Sequence, residues 1–374
     1  MSECMERAPF APRLLNWFDQ HGRSGLPWQS PRTPYRVWLS EIMLQQTQVT
    51  AVIPYFERFV MRFPDLATLA AADSDEVMRH WAGLGYYARA RNLHAAARQV
   101  MTEHGGVFPA QFEAVQALKG IGRSTAAAIL AQAFETPAAI LDGNVKRVLC
   151  RWAGIEGYPG EAAINTQLWA LAESLLPNTR AADYVQAQMD LGATLCTARK
   201  PACARCPLSD DCVAHRTQRI AELPTRKPRK ERPHREAWLI LAADEQGRVL
   251  LELRPGAGIW GGLWCPPVIA LGEDREAILR ARFGVALADE ESGETIEHQF
   301  THFDLSLHPL CASALPLADA IAETTPIAWH HPQALREGVV ALPTPVTRYF
   351  AQDAAPADLL GHRRIASGGR RKPI

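Results

Sequence analysis

The 374-residue chain lacks the features that mark several special classes of protein. It has no apolar run of eighteen residues, which excludes a membrane-spanning helix. Its N-terminus has no apolar core and no small-residue cleavage site, so we expect no secretory signal and a reducing cytoplasm. Internal repeats and low-complexity segments are also missing. The length therefore predicts two or three globular domains.

The chain has no net charge, because 40 basic residues balance 40 acidic ones, but these charges are unevenly distributed. Residues 1–198 carry a net charge of −1, residues 199–235 carry +7 and residues 236–360 carry −11. A basic segment in a neutral protein is typical of a surface that binds a polyanion. A solvated linker explains the same charge, so charge alone leaves both interpretations open.

The sequence pattern changes near residue 216. Residues 10–215 have apolar side chains three and four positions apart, interrupted by glycine and proline, which predicts a series of helices. Residues 216–235 are basic and contain three prolines, which indicates an exposed linker. After the linker, the short runs that follow are typical of an α+β domain of about 120 residues. They predict a hairpin from 237–243 and 249–253, a helix over 274–283, and strands around 295–310 and 325–329.

Cysteine is clustered, with four of the eight residues lying within seventeen positions. In a reducing compartment, such a cluster indicates metal binding rather than disulfide bonds. The four are Cys196, Cys203, Cys206 and Cys212. Four thiolates on a short loop can each bind one iron of an iron–sulfur cluster, and a tetrahedral zinc site is the main alternative. Zinc sites more often pair two CxxC motifs, and this loop has one, so the spacing favours iron–sulfur.

A glycine-containing turn is predicted between two helices in the string LKGIGRSTA, residues 118–126. Gly120 and Gly122 permit a positive φ and a close approach of a phosphate to the backbone. The free N–H groups at the start of the next helix, near Ser124 and Thr125, would face that anion. The motif therefore predicts a sequence-independent contact with a DNA backbone, although an ordinary helix–turn–helix has the same pattern.

Two carboxylates are candidates for chemistry. Glu41 shares a helical stripe with Val37, Trp38 and Leu44, so we expect partial burial, which would raise its pKa and suit a general acid. Asp142 follows an apolar run and precedes a helix. Together they offer an acid and a stabilising anion for breaking a glycosidic bond. Taken separately, Glu41 is equally explained as a surface residue and Asp142 as a helix N-cap.

These elements, in this order, resemble the helix-hairpin-helix DNA glycosylases, and among them the MutY-type adenine DNA glycosylases. The resemblance covers about residues 10 to 350 and includes the cysteine loop. It implies an enzyme that removes adenine mispaired with 8-oxoguanine or guanine in double-stranded DNA and that carries a [4Fe-4S] cluster. The remaining strings that carry it are LPWQ (26–29), WLSEIMLQQTQV (38–49), WAGLGYYARARNLH (81–94) and ILDGNVKRVL (140–149).

The resemblance implies catalytic roles for individual residues. Glu41 matches the acid that protonates adenine, Asp142 the carboxylate that stabilises the positively charged sugar, and Asn144 a residue that positions Asp142 or water. Related enzymes that also cut the strand carry a lysine directly after the glycine turn, where this chain has Ser124. The resemblance therefore implies a monofunctional glycosylase in which water completes the reaction.

The resemblance also implies residues that contact DNA. Gln46 and Tyr86 match residues that wedge into the duplex where a base is flipped out, and Leu84 lies in the same GLGYY loop. The contacts to the DNA backbone are implied for the glycine turn and the helix start, at Gly120, Gly122, Ser124 and Thr125.

The C-terminal region resembles the Nudix-like domain of the MutY-type enzymes, which reads the 8-oxoguanine strand. The match lies in GIWGGLWCPP (258–267) and FTHF (300–303). It implies that Thr301 and His302 recognise the oxidised guanine, with threonine at a position where serine is commoner in the family. Taken alone, His302 is explained as a surface histidine. The spaced glycine, arginine and glutamates of a Nudix box are missing from the sequence, so the domain should recognise its ligand rather than hydrolyse it.

The expected fold class is multidomain: an all-α helix-hairpin-helix core with a cluster loop, followed by an α+β Nudix-like domain. We expect a monomer without membrane contact that acts on the nucleoid in a bacterial cytoplasm. The predicted boundaries are a helical catalytic region over 1–221 (a six-helix barrel at about 32–138, and a cluster domain from the N-terminus plus about 139–221), a basic linker over 222–235, a Nudix-like domain over 236–352 and a basic, disordered tail over 353–374.

Two other functions are compatible with parts of this pattern. One is a helix-hairpin-helix lyase acting on oxidised pyrimidines, against which Ser124 and the C-terminal domain argue. The other is a non-catalytic DNA-binding or redox protein built around the cluster. Replacement of Glu41 by glutamine distinguishes this second class from the enzymes.

Overall fold

The computed structural model describes residues 9–227, 231–317 and 326–352. Its contacts divide the chain into two compact units, of which the first holds residues 1–72 and 92–229 and the second holds the remainder. The sequence places residues 73–91 in the helical region, whereas their contacts group them with the C-terminal residues. The predicted tail lies outside the described residues, as do residues 228–230 of the predicted linker.

The first unit is helical, as predicted. Helix α6 begins in the second unit and continues into the first. The helices of the first unit and α6 are α1 (Phe10–His21), α2 (Pro34–Leu44), α3 (Val49–Arg62), α4 (Leu66–Ala71), α6 (Ala88–Glu103), α7 (Phe112–Ala117), α8 (Arg123–Phe134), α9 (Gly143–Ala153), α10 (Ala162–Ser174), α11 (Ala181–Asp190) and α12 (Val213–Arg216).

Helix α8 is the central helix of this unit, and its sequence explains why. Residues 126–131 (AAAILA) are all buried, so the helix is covered on every side. Small alanine side chains allow α2 and α11 to approach it closely, and both pack against it. Residues of α2 can therefore contact residues of α8 directly.

The second unit contains helix α5 (Ser74–Trp81) and a mixed sheet of eight strands within the described residues. The sheet order is β3-β2-β1-β7-β5, with β4 beside β1, β6 beside β7 and β8 beside β2. Strands β1 and β7 are parallel, and the other pairs are antiparallel. The elements are β1 (His234–Ala243), β2 (Val249–Leu253), β3 (Trp264–Cys265), β4 (Val268–Ala270), α13 (Arg275–Phe283), β5 (Val285–Ser292), β6 (Ile296–Gln299), β7 (Asp304–Pro316), β8 (Ile327–His330), α14 (Pro332–Arg336) and α15 (Thr344–Ala351).

Two local predictions for this unit are confirmed. Strands β1 and β2 form the expected hairpin, and Asp244 closes its turn by accepting from the backbone N–H groups of Gln246 and Arg248. Helix α13 begins after Asp274, whose carboxylate accepts from the N–H of Ala277. Among the described residues, no helix is both long and apolar enough to span a membrane.

Candidate active site

Glu41 and Asp142 line the same cleft in the first unit, although they lie 101 positions apart in the sequence. Glu41 lies on α2 and Asp142 directly precedes α9. Part of the cleft is a pocket whose wall includes Ser124 and Met189.

The environment of Glu41 favours its protonated form. Burial raises the pKa of Glu41 to about 7, and the nearby charge of Asp142 adds to this effect. Gln132, which is buried on α8, donates from Nε2 to Oε1 of Glu41 at 2.7 Å and partly opposes the rise. A carboxyl group with a pKa near neutrality suits general acid catalysis at physiological pH.

Asp142 is the N-cap of α9, as the simpler interpretation of its position predicted. Its Oδ1 accepts from the N–H of Val145 at 2.8 Å. Burial raises the pKa of Asp142, while the backbone N–H groups of Val145 and Asn144 and the charges of Arg147 and Lys146 oppose the rise. The helix N-terminus therefore offsets part of the cost of burying this anion at the cleft.

Asn144 also lines the cleft and is held by Arg147, a residue that the sequence analysis did not select. Arg147 Nη2 donates to Oδ1 of Asn144 at 2.8 Å and to the carbonyl of Gly192 at 2.7 Å, and its Nε donates to the carbonyl of Cys196 at 2.8 Å. A Cβ on Gly192 would lie 2.5 Å from Cβ of Asn144, so glycine is needed there.

The four predicted cysteine ligands line one largely apolar cavity. Burial and, to a smaller extent, the neighbouring thiols raise the pKa of Cys206 to about 12. Arg151, itself buried, donates to Sγ of Cys196 at 3.4 Å and to the carbonyl of Thr197 at 2.7 Å.

This arrangement fits an iron–sulfur cluster. The neighbouring thiols disfavour one another's thiolate forms, so four thiolates that line one cavity need a cationic group among them. In the described part of the chain, no three Cys, His, Asp or Glu side chains are arranged to hold a single metal ion. A cubane makes no such demand, because each thiolate binds a different iron.

The glycine turn lies between α7 and α8, as predicted. Gly120 has a φ of +79°, and a Cβ there would lie 2.7 Å from Cβ of Asn92. Gly122 is exposed with nothing near its Cβ position, and no side chain caps α8 there. Ser124 Oγ accepts from the N–H of Leu141, and Thr125 Oγ1 accepts from Gln45 Nε2 at 3.4 Å.

The predicted wedge residues share an unusual backbone. Gln46, in the first unit, has a φ of +58°, and Tyr86, in the second, has a φ of +48°. Both side chains are exposed. Such conformations are costly for residues other than glycine and concentrate at functional sites. Leu84 is buried within its unit, so its predicted part in DNA binding rests on its place in the loop rather than on an exposed side chain.

Thr301 and His302 are exposed at the tip of the turn between β6 and β7. The N–H of Phe300 donates to the carbonyl of Phe303 at 2.9 Å and closes this turn. The rings of Phe300 and Phe303 stack with their centroids 4.7 Å apart, which stabilises the turn. Both candidate side chains are therefore free to reach a ligand.

Gln132, Arg147 and Gly192 are the site residues that sequence reasoning missed. Gln132 is the polar residue in the otherwise apolar, alanine-rich run of α8, which is a usable signal for a buried hydrogen bond. Arg147 and Gly192 show no such signal, because Arg147 bonds to the carbonyls of Gly192 and Cys196, which lie 45 and 49 positions away in the sequence.

Family models match three parts of the chain. They describe a HhH-GPD superfamily base excision DNA repair protein over residues 39–174, the iron–sulfur binding domain of endonuclease III over residues 196–212, and a NUDIX domain over residues 237–352.

Curated relatives cover nearly the whole chain. An adenine DNA glycosylase of Buchnera aphidicola subsp. Acyrthosiphon pisum is 35% identical over 344 residues, covering 92% of this chain and 97% of that protein. The mouse adenine DNA glycosylase is 36% identical, covering 87% of this chain and 74% of that protein. Among solved structures, a thermostable thymine-DNA glycosylase superimposes with a TM-score of 0.51 and 30% identity, covering 56% of this chain and 95% of that one.

Proposed function

Because this chain belongs to the adenine DNA glycosylase family, we propose that its substrate is adenine paired with 8-oxoguanine, or more slowly with guanine, in duplex DNA. The chain is a base excision repair enzyme that carries a [4Fe-4S] cluster. The observation that carries the proposal is the position of Glu41, whose pKa is raised to about 7, in one cleft with Asp142.

In the proposed mechanism, Glu41 donates a proton to the flipped adenine and makes it a better leaving group. Asp142 stabilises the positive charge that develops on the sugar as the glycosidic bond breaks. Asn144, held by Arg147, positions Asp142 or the attacking water. Water completes the reaction, and the product is an abasic site.

The proposal assigns binding roles to the remaining predicted residues. Backbone N–H groups after the glycine turn bind a DNA phosphate, and Gln46 and Tyr86 enter the duplex where adenine leaves the stack. Thr301 and His302 contact the 8-oxoguanine. The cluster is assigned to Cys196, Cys203, Cys206 and Cys212, and its chemistry when bound is to fix the loop that carries them.

We also propose a monofunctional enzyme that acts as a monomer. Ser124 Oγ is used as an acceptor for the N–H of Leu141 and offers no amine for a Schiff base. Lys146 Nζ donates to the carbonyl of Pro159 at 3.4 Å. Borohydride should therefore trap little covalent protein–DNA complex, and robust trapping would contradict this part of the proposal.

The test is single-turnover release of adenine from duplexes that place it opposite 8-oxoguanine, guanine or thymine, followed by alkali to reveal abasic sites. We expect fast release opposite 8-oxoguanine, slower release opposite guanine and none opposite thymine. Glu41→Gln should lower the rate by a factor of about 10² or more, because it removes the acid. Glu57→Gln, an exposed glutamate on α3, is the matched control. Full activity in Glu41→Gln would contradict the catalytic assignment.

A further inference from the structure

The Gly/Trp motif of the C-terminal region forms a tight loop, which we call the tryptophan loop (residues 255–263). Gly262 N–H donates to the carbonyl of Arg254, and Arg254 N–H donates to the carbonyl of Leu263, both at 2.9 Å. Trp260 is buried with a φ of +57°. A Cβ on Gly261 would lie 2.6 Å from the carbonyl oxygen of Gly256, so the loop closes only with glycine there.

One side of the tryptophan loop holds Arg91 of α6, and both belong to the second unit. Arg91 Nη2 donates to the carbonyl of Gly256 at 2.9 Å, and its Nη1 donates to the carbonyl of Gly261. A Cβ on Gly262 would lie 3.1 Å from Cδ of Arg91. Just after the loop, Trp264 Nε1 donates to Oδ2 of Asp75 at 3.1 Å, which gives a second attachment.

Arg91 lies at the start of the helix that follows the GLGYY loop. Two residues earlier, Arg89 donates to the carbonyls of Leu84 and Gly85 at 3.3 and 3.0 Å. Its guanidinium lies 5.4 Å from the ring centroid of Tyr86. Arg89 thus holds the loop in which Tyr86 has its left-handed conformation. The same helix start is bonded to the tryptophan loop through Arg91.

The other side of the tryptophan loop supports the turn that carries Thr301 and His302. The ring of Trp260 lies 5.7 Å from that of Phe300 and 5.9 Å from that of His298. Phe300 in turn packs edge-on against His298 at 4.6 Å. Trp260 therefore packs against the residues that precede the exposed side chains of Thr301 and His302.

We propose that the tryptophan loop couples recognition of the base opposite adenine to insertion of Tyr86, with Arg91 as the positioning residue. Ring contacts connect the turn of Thr301 and His302 to the tryptophan loop, and the hydrogen bonds from Arg91 to carbonyls of that loop continue the connection toward Tyr86. The position of one exposed site therefore constrains the position of the other. An oxidised purine held at Thr301 and His302 fixes the loop, and the loop fixes the wedge through Arg91. This inference rests on the proposed function.

The experiment measures adenine release opposite 8-oxoguanine and opposite guanine and takes the ratio of the two rates. Arg91→Ala should lower this ratio at least about fivefold, because coupled sites typically differ by factors of 5 to 150. Trp264→Phe keeps an aromatic ring at this position but removes the indole N–H that donates to Asp75, and it should lower the ratio in the same direction. Arg98→Ala is the matched control, since Arg98 also donates to two backbone carbonyls, those of Ala70 and Ala72.

A double-mutant cycle with Thr301→Ala completes the test. If the two sites are coupled, Thr301→Ala lowers the ratio in wild type but adds little in the Arg91→Ala background. Equal slowing on both duplexes, an unchanged ratio in Arg91→Ala and Trp264→Phe, or additive effects in the cycle would each overturn the coupling. A wild-type enzyme without any preference for 8-oxoguanine would instead contradict the proposed function, so the two failures are distinguishable.

Discussion

At the scale of single residues, the chemistry of the cleft depends on what surrounds Glu41. Its neighbour Gln132 lies 91 positions away in the sequence. Desolvation dominates the pKa of Glu41, because the hydrogen bond from Gln132 is weaker than the cost of burying the charge. The same burial that makes Glu41 a useful acid at neutral pH makes its ionised form unfavourable for the fold.

The pKa of Glu41 therefore predicts a cost in stability at high pH. The folded-state value of about 7 exceeds the ordinary 4.5, so the folded state binds more protons between these values and loses stability as pH rises through them. Glu41→Gln should be more stable than wild type at pH 8 by about 1–3 kcal/mol, and nearly equal to it at pH 4.5. Denaturant unfolding at both pH values measures this.

Glu57→Gln is again the control and should show no such pH-dependent difference from wild type. Adenine release by the wild-type enzyme should also decline as pH rises through 7, since the protonated fraction of Glu41 falls. A Glu41→Gln protein that is less stable than wild type at pH 8 would contradict the burial argument.

At the scale of elements, the turn between α7 and α8 uses its two glycines differently. Gly120 is required by the fold, because both its φ of +79° and the nearby Asn92 exclude a Cβ. Gly122 has ordinary dihedral angles and open space around it. We infer that Gly122 is kept free of a side chain for the approach of a phosphate.

This difference predicts that two matched substitutions affect different properties, one the stability of the fold and the other DNA binding. Gly120→Ala should destabilise the protein by about 1–3 kcal/mol, through strain and steric overlap. Gly122→Ala should change stability by less than about 0.5 kcal/mol but weaken DNA binding, because its methyl group occupies the path of the phosphate. Denaturant unfolding and fluorescence anisotropy with a labelled duplex separate the two effects. Equal losses of stability would contradict the assignment.

At the scale of the whole molecule, charge is separated along the chain, and the most basic part lies around the predicted linker. Arg226 and Lys227 are exposed, and Arg229 and Lys230 lie outside the described residues. An acidic C-terminal region would repel DNA unless a basic segment offsets it. The linker is therefore the expected source of much of the salt dependence of binding.

A variant in which four basic residues of this segment are neutralised by glutamine tests that expectation. Each phosphate contact that the variant loses should reduce the slope of log affinity against log salt by about 0.9. The control variant, Arg226→Lys with Arg229→Lys, retains the charge and should retain the slope. An unchanged affinity and slope after neutralisation would show that the linker does not contact DNA. The variant replaces four residues by glutamine: Arg226, Lys227, Arg229 and Lys230.

The sequence by itself determined the elements and the family of this protein. Helices, the β-hairpin, the glycine turn and the cysteine loop follow from short-range patterns, since periodicity, capping and ligand spacing act over a few residues. The N-cap at Asp142 and the helix start at Asp274 were predictable for the same reason.

Only the tertiary structure decided which residues meet. Burial that raises the pKa of Glu41, the hydrogen bonds from Arg147 to Gly192 and Cys196, and the grouping of residues 73–91 with the C-terminal unit all join distant positions. No local pattern encodes such contacts, because they depend on how helices and strands pack after they have formed.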